Sequence, residues 1–98
     1  MNVGSVTVNE RLRARVRGTV QGVGFRYFTR ESAARLEITG WVRNRPDGSV
    51  ELVAEGPRAN LELLLERVTA GPEQSSVSGV ESDWSEATGE FESFVVRA

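Results

Sequence analysis

The 98 residues carry twelve arginines against fourteen acids, for a net charge of −2, with 39% hydrophobic and 27% charged residues. That balance describes one ordinary globular domain with a modest core. The chain contains no Cys, His or Lys, which excludes disulfides, thiolate nucleophiles, Cys/His zinc sites, Ser-His catalysis, Schiff bases and a lysine-bearing P-loop.

Residues 1–50 hold nine arginines and four acids, whereas residues 51–98 hold three arginines and ten acids. A basic half suggests an anionic partner, although folding can mix the halves in space. No apolar run approaches the ~20 residues of a membrane span. The opening MNVGSVTVNE lacks the basic start and apolar stretch of a secretion signal, so residues 1–9 are expected to form a flexible tail. The resulting expectation is a cytoplasmic protein without membrane contact.

RLRARVR, from Arg11 to Arg17, alternates strictly, with Leu12, Ala14 and Val16 on one face and four arginines on the other. Period two predicts a strand with one face buried and one in water. A helix is predicted from about Arg26 to Glu37, with Phe25, Phe28, Ser32, Ala33 and Leu36 as its core stripe and Gly40 at its exit. WVRN begins a second strand, and RPDGS, with Asp47 and Gly48, carries the residues of a hairpin turn. SVELVAE returns as a third strand. Gly56 and Pro57 start a second helix with Leu61, Leu64, Leu65 and Val68 at helical spacing, and Gly71 and Pro72 end it. Weaker strand signals lie near Val77–Trp84 and Phe91–Arg97.

The order β-α-β-β-α-β predicts an α+β, ferredoxin-like fold, an antiparallel sheet with two helices on one face and room for one further short strand. The first two strands then run parallel with the third between them. Residues 18–25 and Asn44, distant in sequence, are expected at one edge of the sheet, roughly 10 Å apart.

Between the first strand and the first helix lies VQGVGFRYF, Val20 to Phe28. Gly22 and Gly24 can adopt positive φ and bring their N–H groups close to a ligand. Consecutive N–H groups in such a turn form an anion-binding nest, and a helix start adds its positive dipole end. Arg26 sits in that first turn, where the dipole prefers acids; a bound anion would remove the conflict, and a guanidinium can grip two oxygens of a phosphate. The alternative is a tight strand-to-helix connection with a solvated arginine. The turn is not a Rossmann fingerprint, because the third glycine of that pattern would fall at Tyr27.

GTVQGVGFRYF (Gly18 to Phe28) and GWVRNRPDGSVE (Gly40 to Glu51) resemble the two signatures of the acylphosphatases, at the family's separation, and the closing FESFVV resembles its last strand. The resemblance covers residues 10–98, an acylphosphatase-like domain. It implies hydrolysis of acyl phosphates to carboxylate and inorganic phosphate. By similarity, the phosphate is held by the loop of Gln21, Gly22, Val23, Gly24, Phe25 and Arg26, with Arg26 as principal ligand, and Asn44 positions the attacking water. No metal or organic cofactor is implied. The partners implied are the acyl phosphate and inorganic phosphate as product and competitive inhibitor, with no nucleic acid. A monomer is expected from the size and surface composition.

The absent residue types agree with this chemistry. The leaving group is a carboxylate whose acid has a pKa of about 4, so it departs without a proton. What remains is positioning and stabilisation of phosphoryl charge, tasks for backbone N–H groups and Arg. Two other functions fit the topology: a phosphate-binding module without turnover, and an RNA-binding domain, although the basic-aromatic octamer of the latter is missing. Among the other side chains, Arg43 and Arg45 are expected as solvated surface, Glu51 and Glu55 as surface charge, and Trp41 and Trp84 as packing residues.

Overall fold

The computed structural model describes residues 8–98. Its elements are β1 (Asn9–Thr19), α1 (Phe25–Arg35), β2 (Thr39–Asn44), β3 (Val50–Pro57), α2 (Arg58–Ala70), β4 (Ser76–Glu86) and β5 (Phe94–Arg97). Most of the tail expected over residues 1–9 lies outside the described residues; Asn9 already pairs with Pro57 in β1.

The sheet order is β4-β1-β3-β2-β5. β3 lies between β1 and β2 and is antiparallel to both, so β1 and β2 run parallel, as the topology requires. The sheet is not purely antiparallel. β5 adds alongside β2 in the parallel sense, from Gly40 opposite Phe94 to Arg43 opposite Arg97. A strand that leaves β4 at one edge and returns beyond β2 crosses the whole sheet, and nothing in its short apolar run announces that direction.

Alternation divides the sheet faces. Leu12, Ala14 and Val16 of β1, Val42 of β2, and Val50, Leu52 and Ala54 of β3 form one buried layer with Phe25 and Ala33 of α1 and Leu61, Leu64 and Val68 of α2. The strand faces and the two helical faces remove their apolar surface from water together, about 25 cal/mol per Å² buried. The opposite sheet face carries the alternating arginines and acids.

Two glycines read as helix punctuation differ in role. Gly71 closes α2 at φ 71°, as expected. Gly40 does not end α1: the chain leaves that helix through Glu37 at φ 55°, and Gly40 lies inside β2. A Cβ on Gly40 would stand 1.9 Å from the carbonyl oxygen of Val53, so close strand packing explains this glycine.

Candidate active site

The turn from Gln21 to Gly24 delivers the chain from β1 into α1. Gly22 (φ 75°) and Gly24 (φ 77°, ψ 18°) are both left-handed, a region in which an L side chain is strained. Gly24 occupies the N-cap of α1 and brings no capping side chain. The first backbone bond of the helix runs from the Phe28 N–H to the Gly24 carbonyl at 3.0 Å. Among the described residues, the N–H groups of 22–26 donate to no acceptor. A helix start leaves such donors unpaired unless a cap or ligand accepts them.

Asn44 is the last residue of β2 and pairs with Val50. It follows Gly40 and Val42 in the alternation, so it lies on the helix-covered face, at the end where the core opens. There the structure forms an open cleft of about 300 Å³, in which Gly22, Gly24, Phe25 and Arg26 meet Asn44. Val20, Tyr27, Arg30 and Val96 complete the lining. No carboxylate belongs to that lining, and two guanidinium groups do, so the cleft is positive. Arg26 is also anchored: its Nη1 donates to the carbonyl oxygen of Arg97 in β5 at 3.1 Å.

The expected phosphate-loop residues therefore divide. Gly22, Gly24, Phe25 and Arg26 line the cleft with Asn44. The Gln21 side chain lies outside that lining; its amide donates to the carbonyl oxygens of Arg45 and Ser49 at 2.8 and 2.9 Å. The Val23 side chain packs against the hydrophobic core. Either residue can face a ligand only through its backbone. Sequence reasoning missed Val20, Arg30 and Val96. Arg30 was accessible to it, being four residues from Arg26 and hence on the same helical face; Val96 depended on the unforeseen parallel pairing of β5.

The hairpin between β2 and β3 holds Asn44 in place. The Arg45 N–H donates to the Ser49 carbonyl at 2.8 Å, and the Gly48 N–H to the Arg45 carbonyl at 3.1 Å. The Asp47 carboxylate accepts from the Ser49 N–H and hydroxyl at 3.0 and 2.6 Å, which holds its carboxyl below the usual value.

The open sheet face corrects two expectations. Glu51 and Glu55 are not surface charge; they are 1% and 3% exposed. Arg43 and Arg45 are not simply solvated, since both bind Glu51 Oε1, at 3.0 and 2.8 Å, while Arg13 holds Oε2 at 2.5 Å. The reason is cross-strand register: Glu51 sits opposite Arg15 of β1 and Arg43 of β2, and long neighbouring side chains close over it. Burial alone would raise its pKa, but the bonds from Arg13, Arg45 and Arg43 prevail and bring it down to about 2. Glu55 is likewise lowered against the effect of burial, by the N–H groups of Thr88 and Gly89 and by Arg11. The tryptophans pack as expected. Trp41 is buried between the guanidiniums of Arg43 and Arg97, 5.0 and 4.8 Å from its ring centre, and Arg58 lies 3.6 Å over Trp84.

Among the described residues, no helix is long and apolar enough to cross a membrane.

A family model described as Acylphosphatase matches residues 12–96. An acylphosphatase of Salinibacter ruber is 57% identical over 88 residues, covering 90% of this chain and 93% of the relative. The crystal structure of acylphosphatase from Bacillus subtilis superposes with a TM-score of 0.88 at 38% identity, covering 91% of this chain and 99% of that one. An acylphosphatase structure from Coxiella burnetii gives 0.86 at 39% identity, over 92% and 94%. With both cleft-forming motifs inside the matched span, the chain belongs to the acylphosphatase family and is a hydrolase acting on acid anhydrides.

Proposed function

We propose that the reaction takes place in the cleft between the glycine turn and Asn44. The phosphoryl group of the acyl phosphate lies against the N–H groups of residues 22–26, and Arg26 grips two of its oxygens. The observation that carries this reading is the meeting of unpaired N–H donors, Arg26 and Asn44 in one cleft lined by no acid. Donors already aimed at the place where charge develops need no reorganisation as the barrier is crossed.

Asn44 is neither a base nor an acid at ordinary pH, so its task is to hold a water in line with the bond that breaks. Water attacks phosphorus, the P–O bond to the acyl group breaks, and the electron pair leaves on the carboxylate. The water's proton passes to a phosphoryl oxygen. Products are the free carboxylate and inorganic phosphate, and the latter competes for the same donors. The protein acts as a cytoplasmic monomer on this reading, in keeping with its small size, its mean hydropathy of −0.31 and a sequence without cysteine.

Hydrolysis of benzoyl phosphate in ¹⁸O-labelled water tests the proposal. The label should appear in phosphate and not in benzoate, and added orthophosphate should raise KM without lowering kcat. Label in the benzoate, or non-competitive inhibition, would overturn it.

A further inference from the structure

Arg30 is a cation that this reaction leaves unused. It lies one helical turn beyond Arg26, is half-buried, and lines the same cleft. Six other arginines (11, 13, 17, 43, 45 and 58) hold carboxylates. Among the described residues Arg30 forms no ion pair; its guanidinium rests over the Tyr27 ring, 4.8 Å from the centroid. Tyr27 is 59% exposed and lines the cleft, as does Val96.

Four residues of helix advance about 6 Å along the axis. A ligand whose phosphoryl group sits at Arg26 and whose remainder runs along α1 therefore brings its far end to Arg30. Tyr27 and Val96 line the same cleft, surfaces suited to a flat or aliphatic spacer. Water partly screens a half-exposed guanidinium, so its effect on a ligand charge is modest but directional.

We propose that Arg30 is a specificity-determining residue, favouring acyl phosphates whose acyl portion ends in a carboxylate. The inference rests on the placement of the phosphoryl group at the glycine turn proposed above. It adds a second recognition point, absent from the hydrolytic step itself, that distinguishes among substrates sharing one reactive group.

Two nearly isosteric substrates test it: 4-carboxybenzoyl phosphate and its neutral counterpart 4-carbamoylbenzoyl phosphate. Wild-type protein should favour the charged one by about 2–5-fold in kcat/KM, through KM, and salt should erode that preference. Arg30→Gln should bring the ratio close to one, while Arg30→Lys should retain part of it. Thermal unfolding checks that each variant is folded. No preference in the wild type, a preference that survives Arg30→Gln, or an equal loss on both substrates would overturn the proposal. Arg26→Ala separates the underlying placement: if both substrates are still hydrolysed at wild-type rates, the placement itself has failed.

Discussion

The side-chain amide of Gln21 and the carbonyl oxygen of Arg45 lie 2.8 Å apart across 24 residues of sequence. The same amide nitrogen also reaches the Ser49 carbonyl at 2.9 Å. The glycine turn is thereby fastened to the hairpin directly after Asn44. Gln21→Ala should remove two hydrogen bonds while each carbonyl keeps its backbone donor, Gly48 for Arg45 and Arg45 for Ser49, costing about 0.5–1.5 kcal/mol of stability per bond. Turnover of benzoyl phosphate should fall more than orthophosphate affinity, because the two sides of the cleft lose their common tether. An inhibition series beside a denaturation curve reads both effects. Unchanged kcat would show that the tether has no catalytic consequence.

The proposed mechanism gives Arg26 and Asn44 separable tasks. Arg26→Ala should lower both orthophosphate affinity and kcat, the latter by roughly 10²–10³, the usual cost of a lost preorganised donor. Asn44→Ala should reduce kcat on a similar scale while orthophosphate still inhibits at close to its wild-type concentration. Steady-state kinetics with benzoyl phosphate decide the matter, and an Asn44→Ala variant that hydrolyses it at the wild-type rate removes that residue from the mechanism.

Two glycines should respond differently to an added methyl. Apart from its chain neighbours, no protein atom crowds a Cβ built on Gly24, so Gly24→Ala meets only the left-handed strain, about 1–2 kcal/mol. The variant should fold, melt several degrees lower and bind orthophosphate less well. Gly40→Ala places its Cβ 1.9 Å from the Val53 carbonyl oxygen and 2.9 Å from the Ala54 Cα, both backbone. It should be the far more destabilising change, read by urea denaturation of the pair, although it touches nothing in the cleft.

Glu51 links stability to acid pH. Its ordinary pKa of 4.5 falls to about 2 in the folded protein. A depressed carboxylate contributes its full stabilisation above the unfolded pKa and loses it as pH falls through the folded one. That contribution should therefore be complete above about pH 5 and decline from there toward pH 2. Glu51→Gln leaves three arginines crowded without their anion. It should cost about 1–3 kcal/mol at pH 7, less than the ~3–5 kcal/mol of a fully buried pair because the guanidiniums reach water. The gap between the denaturation midpoints of the two proteins should be narrower at pH 3 than at pH 7; a constant gap would mean that ionisation of Glu51 does not matter.

Local pattern was enough for much of this protein. Alternation in RLRARVR set which face of β1 is buried, leucine spacing set the buried side of α2, and Gly22 and Gly24 marked the left-handed turn that leads into α1. Each of these depends on backbone periods and steric limits that act over a few residues. The order β-α-β-β-α-β further brought Asn44 to that turn, because β3 between β1 and β2 forces their ends to one edge. Tertiary structure alone decided the rest. Burial of Glu51 depends on arginines supplied by β1 and by β2 with its hairpin, the tether of Gln21 on a hairpin 24 residues away, and the contacts of Val96 and Arg97 on a parallel edge strand. Interactions of that kind arise from the register between distant segments, which no local period encodes.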